Sequence, residues 1–409
     1  MNFTQLQNFL DHMAAERTPG NVVTVYQGGE LVYQYASGYA DWESKTPMIG
    51  DELFNIYSCS KITTVTAGVQ LLERGRFLLS DPLYEYIPEF RNMYVRQENG
   101  DCVKAKNPIR IGHLFTMTAG FNYNFKVPAF DKARQLTNGH MDTVDVIRCL
   151  AEEPLSFEPG THWQYSLCHD VLAGLISVVS GQKFRDYVRQ NIFEPLEMTS
   201  SVYHHTEETK KRTASQYTFI AGDEGELDIV EAQKGRRAAT TDATLSGAPI
   251  AGTFKNVGKD VSHILGDEYD SGGAGIITSV PDYAKLMAAL AGLGRGVNGE
   301  RILSANSVEL MRTNQLSPEL MKDYSWQSCW GCGYGLGVRT HIDPAKSGLI
   351  CSLGEFGWGG AAGATAVIDP SRQLGVFYAQ HCLNPREEYY QPRLRNVVYT
   401  CLDERRERT

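Results

Sequence analysis

The chain has 409 residues, 42% apolar and 21% charged, with a formal net charge of -9 at pH 7. That length exceeds one ordinary core and predicts two packed units or one domain with an insertion, and the balance of apolar and charged residues excludes long disordered tracts. The acidic balance and the short basic runs (Lys210 to Arg212, Arg236 to Arg237, Arg405 to Arg408) argue against nucleic acid and anionic membranes as partners, because polyanions need a concentrated basic surface.

At the start of the chain, Phe3, Leu6, Leu10 and Met13 fall on one helical stripe. No basic leader with a cleavage site is visible there, and no apolar run approaches the ~20 residues of a membrane span, so a cytoplasmic protein is expected. The nine cysteines lack a framework spacing and read as free thiols.

Two β-prone runs follow, Val22 to Tyr26 and Leu31 to Tyr35, joined by Gly28-Gly29 in a hairpin. Beyond them, "IYSCSKITT" introduces Ile62, Val65, Val69 and Leu72 at helical spacing, with Gly75 placed to end the helix. From residue 81 to 299 the patterns turn mainly helical. Strands return near the C-terminus in "GATAVIDPSRQLGVFYAQH", a second hairpin turning at Asp-Pro-Ser. The expected architecture is α/β (α+β): an antiparallel sheet domain built from residues 1–80 and 300–409, flanked by helices, with a mainly helical domain, 81–299, inserted between them.

Serine nucleophiles need a base and an oxyanion site. The pattern G-x-S-x-G is absent; "ICSLG" at 350 to 354 is its nearest approach. The pattern S-x-x-K occurs twice, and roughly one match is expected by chance. Ser180 and Lys183 sit at a helix end beside Gly181 and read as capping and solvation. Ser58 sits at a helix start, where free N–H groups and the dipole favour a developing anion, and Lys61 lies one turn on. Alone, the motif fits an N-cap serine equally well. Two later segments extend it: "FEPGTHWQYSLCHD", carrying Tyr165, and "FGWGGAAGA", carrying Trp358, Gly359 and Gly360.

With those motifs in that order, together with "IRIGHLFTMTAGF" and "SGGAGIITSVPDYAKLM", the chain resembles the serine β-lactamase and penicillin-recognising superfamily. The resemblance is closest to the class C-like branch that includes family VIII carboxylesterases, and it covers most of residues 20 to 385. It implies the β-lactamase/transpeptidase-like fold with the active site between the two units. It also implies Ser58 as nucleophile, Lys61 as its partner, Tyr165 as base and later proton donor, and backbone N–H groups of Ser58 and Ala361, beside Gly359 and Gly360, as the oxyanion site. Lysine and tyrosine with ordinary pKa values near ~10 are poor bases at neutral pH, and the sequence leaves open which of the two takes the proton.

Two positions depart from the class C pattern: Leu167 replaces an asparagine and Trp358 a lysine. Both remove groups that would hold a β-lactam amide and carboxylate. An ester with an apolar portion fits better, with Trp358 as a wall and Tyr123 beside it in a loop that also carries Phe121 and Phe125. The expected function is a carboxylesterase for small or medium acyl esters; a β-lactamase or D-amino-acid peptidase, an acyltransferase and a non-catalytic scaffold are the alternatives. The partner is a small-molecule ester or amide, with no cofactor. No metal is expected, since "CWGC" (Cys329, Cys332) is a lone pair and His204-His205 lack ligand spacing. His113, His162 and His169 read as structural.

Overall fold

The computed structural model describes residues 1–221, 252–261, 263–383 and 386–402. Arg236, Arg237 and the run Arg405 to Arg408 lie outside the described residues. Its main feature is an eight-stranded antiparallel sheet in the order 332–334, 339–341, 356–357, 365–369, 374–380, 20–27, 30–41, 46–47. Early and late strands meet at its centre, where Gly20–Gln27 pairs with Leu374–Gln380 in the register Asn21↔Gln380 to Gln27↔Leu374.

The first hairpin forms where its composition places it, but both strands are longer than the β-prone runs. They span Gly20–Gln27 and Glu30–Asp41 across Gly28 and Gly29, whose φ values of 62° and 81° suit the tight turn. Strand Gly20–Gln27 is buried along almost its whole length because both faces of the sheet are covered. One face carries Val23, Val25, Val376 and Tyr378, packed against Leu6, Leu10 and Met13 of the helix Thr4–Glu16 and Leu394 and Val398 of the helix Glu387–Cys401. The other carries Val22, Phe377 and Ala379 and joins the larger core.

That larger core contains the helix Val280–Ala291, which packs on the central strands so closely that a Cβ on Gly375 would lie 2.7 Å from the Cα of Ala288. The strand Ile277–Ser279 just before it pairs with Leu53–Asn55. Residues 277–291 thus lie against the sheet, although the sequence groups them with the helical region. The span 81–299 also contains a small hairpin, Tyr94–Arg96 with Cys102–Lys104, and the antiparallel strand pair Gln216–Ala221 with Gly252–Gly258.

The helix Ser60–Glu73, buried from Ser60 to Leu71, packs on the helix Cys168–Ser180 and, at Gly68, on Phe115 of the helix Ile111–Thr116. Its apolar positions Ile62, Val65 and Val69 join the core on one side. Its threonines are buried without loss because each is hydrogen-bonded: Thr63 Oγ1 with Tyr283 OH (2.9 Å), Thr64 Oγ1 to Gly272 O (2.7 Å) and Thr66 Oγ1 to Ile62 O (2.8 Å). The helix begins two residues later than Ser58, which lies in a preceding 3-10 turn, Tyr57–Cys59. Among the described residues, no helix is long and apolar enough to cross a membrane. No disulfide joins the cysteines among the described residues.

Candidate active site

Ser58 is presented by an unusual stretch of backbone. Tyr57 has φ 44°, a left-handed conformation that is costly for a bulky side chain, and it is held there by burial and by its hydroxyl donating to Gln216 Oε1 (2.6 Å). The turn that follows leads into the buried helix. Its start is pinned from the loop 271–277: Ile276 N donates to Ser60 Oγ (3.0 Å) and Ile56 N to Ile276 O (3.2 Å). Ser58 is half-buried, and Cys59, the residue flanking the helix, makes no side-chain cap bond. The serine side chain is engaged elsewhere.

Lys61 Nζ donates to Ser58 Oγ (3.2 Å) and to Gly273 O (2.7 Å), and the phenol of Tyr165 donates to the same serine oxygen at 2.5 Å. A hydroxyl, an amine and a phenol from residues 58, 61 and 165 therefore meet at one oxygen. Lys61 is fully buried, and its Nζ sits 4.6 Å from the centroid of the Tyr165 ring. The Tyr123 ring stacks on Tyr165 at 5.5 Å and 3°, and Trp358 stacks on it at 5.8 Å and 21°. Burial, with the neighbouring Tyr165 and Asp170, pushes the Tyr123 phenol well above its ordinary pKa.

The third segment reaches Ser58 from the sheet. Residues 356–360 run antiparallel to 364–368, with Ala366 N donating to Trp358 O (2.9 Å) and Gly360 N to Ala364 O (2.8 Å). A side chain on Gly360 would collide with the carbonyl of Ile56, so only glycine lets this strand end lie against the backbone leading into Ser58. Ala361 follows at once, half-exposed beside a small apolar cluster that contains Tyr57. Gly359 forms a bridge with Thr365.

Other residues are brought in that their types alone do not reveal. Trp326 meets Tyr165 edge-on at 5.1 Å. His263 meets Tyr57, Tyr123 and Phe125 at 5.3 to 5.8 Å, and burial holds its pKa down at about 4. Asp170, in the first turn of the helix Cys168–Ser180, is buried with Oδ1 accepting from Ser271 Oγ (2.7 Å) and Tyr269 OH (3.0 Å). An acid inside the apolar run "HDVLAGLI", five residues after Tyr165, is the only sequence signal for it. The loop aromatics divide: Tyr123 and Phe125 reach the site, whereas Phe121 packs edge-on to Phe90 at 5.9 Å in the core. Leu167 is buried.

The remaining candidates have other engagements. Ser180 Oγ bonds Ser177 O, and Lys183 pairs with Glu268 at 2.6 Å. His113 Nδ1 accepts from Arg110 N (3.2 Å), His162 pairs with Asp323 (3.0 Å), and His169 Nε2 lies 3.4 Å from Phe115 O. His204 is bonded to Asp270 at 2.9 Å. Cys329 and Cys332 line a separate cavity of about 330 Å³ with Tyr324 and Trp330, and burial raises both thiol pKa values.

The chain is similar to several known proteins. Protein Rv1367c of Mycobacterium tuberculosis is 30% identical over 376 residues, covering 89% of this chain and 86% of that one. Esterase EstB of Burkholderia gladioli is 29% identical over 372 residues, covering 88% and 85%. Among solved structures, EstCE1, described as a hydrolase with promiscuous acyltransferase activity, superposes with a TM-score of 0.73 at 25% identity over 97% of each chain. A family profile described as Beta-lactamase spans residues 6–399, nearly the whole length, and the chain belongs to the beta-lactamase family, with its β-lactamase/transpeptidase-like fold.

Proposed function

We propose that this protein is a serine carboxylesterase that cleaves small or medium acyl esters through an acyl-Ser58 intermediate. One observation carries the reading: Ser58 Oγ accepts from both Lys61 Nζ (3.2 Å) and Tyr165 OH (2.5 Å) at the entry to a buried helix. The Ser58 proton passes to this pair as Oγ bonds to the ester carbonyl carbon. The oxyanion is met by the N–H groups of Ser58 and Ala361, and preorganised donors of this kind are each worth about 2.7 to 4 kcal/mol in the transition state. The alcohol departs with the proton, delivered from Tyr165, and water then releases the acid by the reverse sequence.

The choice of ester is supported by the surroundings of the nucleophile. Trp358, Trp326 and Phe125 supply apolar faces around Tyr165 and Tyr123, and the position where class C enzymes carry a lysine holds Trp358. The likeness to esterase EstB points the same way. The likeness to EstCE1 favours a second outcome, capture of the acyl group by an alcohol in place of water. Cysteines without disulfides among the described residues fit a reducing, cytoplasmic setting.

The test is hydrolysis of p-nitrophenyl butyrate by wild type, Ser58→Ala and Tyr165→Phe, with nitrocefin as the β-lactam control and product analysis in the presence of added alcohols. Fast ester turnover with slow nitrocefin turnover is expected. Undiminished ester hydrolysis by Ser58→Ala removes the reading, and preferential nitrocefin turnover replaces it with a β-lactamase.

A further inference from the structure

We propose that Cys329 and Cys332 are an oxidisable dithiol, converted reversibly to a disulfide by a peroxide, and that closing this bridge displaces the aromatic wall beside Tyr165. The thiol pair stands apart from the acyl-serine reading, and its effect on turnover rests on that reading.

The backbone brings the two cysteines together. Trp330, between them, has φ -57° and ψ 135°, and Gly331 has φ 72°. These angles match the central residues of a type II β-turn, whose second central position needs a positive φ and so favours glycine. The outer residues of such a turn have Cα atoms within about 7 Å of each other, and disulfides span Cα separations of about 4.4 to 6.8 Å. Cys329 and Cys332 therefore stand within bridging reach. Glycine is needed at 331 for a second reason, since a Cβ there would lie 2.4 Å from Asp343 O and 2.5 Å from Ser347 Cβ. Ile342 N and Asp343 N both donate to Gly331 O (2.9 Å each) and anchor the turn on that side.

An oxidant has a way in. Cys329 and Cys332 are 7% and 3% exposed, but both line the cavity of about 330 Å³, whose other walls include the exposed Trp330, Lys322 and Lys346. That volume admits a molecule as small as hydrogen peroxide. Among the described residues no group of three or more histidine, cysteine or acidic side chains is placed to hold a metal ion, so the two thiols do not belong to a larger ligand set. Burial pushes both thiols up, Cys329 to about 12, so both rest protonated and respond to sustained oxidant.

Hydrogen peroxide balances the reaction. One sulfur, as its thiolate, attacks a peroxide oxygen and breaks the O–O bond, giving a sulfenic acid and, with the released proton, water. The second sulfur attacks the sulfenic sulfur; the S–S bond forms, and the hydroxyl leaves with the second thiol's proton as another water. Two thiols are oxidised and one peroxide is reduced to two waters. Thiol exchange with an added dithiol reverses the bridge.

The pair is flanked by two rings of the active-site wall. Trp326 directly precedes the 3-10 turn Gln327–Cys329 and meets Tyr165 at 5.1 Å, and Tyr334 ends the strand Cys332–Tyr334 and meets Trp358 at 5.3 Å. Trp163 touches both rings at 5.5 Å. A disulfide draws its two Cβ atoms to about 3.8 Å, so a tightened turn pulls on both sides of this wall at once.

The test is hydrogen peroxide treatment of the wild-type protein followed by alkylation and peptide mapping, with kcat/KM for p-nitrophenyl butyrate read before and after dithiothreitol. A bridge between Cys329 and Cys332 is expected, with a fall in kcat/KM of about tenfold, as small misplacements around a reacting centre produce, and recovery on reduction. Cys329→Ser should start at wild-type activity and keep it through the same treatment. A bridge to another cysteine, oxidation confined to the exposed Cys102, or sulfonic acid at 329 or 332 overturns the proposal. So does a mapped bridge that leaves kcat/KM unchanged, or a loss that Cys329→Ser shares. Should Cys329→Ser not fold, wild type alone decides: activity must return in step with disappearance of the bridge, and a return at any other rate refutes the coupling. Ester hydrolysis that survives Ser58→Ala would instead remove the acyl-serine reading, and the mapped bridge does not depend on it.

Discussion

The tetrapeptides at 58–61 and 180–183 have the same spacing of serine and lysine and opposite surroundings. Ser58 precedes a helix whose interior side buries Lys61 completely, and both side chains are tied to residues more than 100 positions away. Ser180 closes a helix, Gly181 follows in the left-handed conformation with φ 74°, and Lys183 reaches into solvent toward Glu268. Spacing alone therefore carries no chemistry. The helix end and the loss of solvent separate a candidate nucleophile from a surface cap.

Parallel substitutions test that contrast, beginning with the serines. Ser58→Ala should lower kcat/KM for p-nitrophenyl butyrate by at least ~10³-fold, as loss of a nucleophile does elsewhere, whereas Ser180→Ala should stay within about twofold of wild type. Equal losses would erase the distinction. At the partners, Tyr165→Phe should cost about 10²- to 10⁴-fold in kcat, the range for general acid–base groups, with little change in melting temperature. Lys183→Ala should leave kcat alone and remove at most about 1 kcal/mol of stability by denaturant titration, because exposed ion pairs contribute little.

The glycines offer a finer comparison. Gly360→Ala drives a Cβ into the Ile56 carbonyl and should lower kcat more than it lowers stability, because the displaced turn carries Ala361. Gly181→Ala, with open space around it but a left-handed backbone, should cost about 1 kcal/mol of stability and no activity. Acid should expose a last difference. His169 and His263 lie beside the first site with folded pKa values of about 3 and about 4, below the unfolded value near 6.5. The unfolded chain binds more protons in that window, so their contribution is intact above pH 6.5 and fades as pH falls, by up to ~1.4 kcal/mol per pH unit for each histidine. Stability measured from pH 7 to pH 4 should decline accordingly, and His263→Phe should flatten part of the slope.

What the sequence disclosed followed from how local each signal was. The hairpin at Gly28-Gly29, the stripe Leu6, Leu10, Met13 and the helix after Ser58 are written in adjacent residues, and their placement holds to within a few positions. The meeting of Ser58, Lys61 and Tyr165 was legible through ordered motifs, since periodicity offers no reason for residues 58 and 165 to touch. Asp170, Trp326 and His263 were not legible. Each reaches the site through contacts made only after distant segments pack, and an acid in an apolar helix or a tryptophan in a loop has many ordinary uses. The 277–291 segment illustrates the same limit: its helix is plain in the sequence, but its docking on the sheet depends on the non-local pairing of Leu53–Asn55 with Ile277–Ser279.

The adjacency of Gly20–Gln27 and Leu374–Gln380 sets a timetable for biosynthesis. While the ribosome is still adding residues, the leading hairpin has no neighbour on its inner edge, and the turn bearing Ala361 has not yet been anchored by the strand that follows it. Pairing over so many intervening residues is slow and leaves an unsatisfied β-edge open to association. Closure of the sheet therefore waits on residues 374–380, and a chain truncated before residue 374 would retain Ser58, Lys61 and Tyr165 yet lack the strand that pairs with Gly20–Gln27.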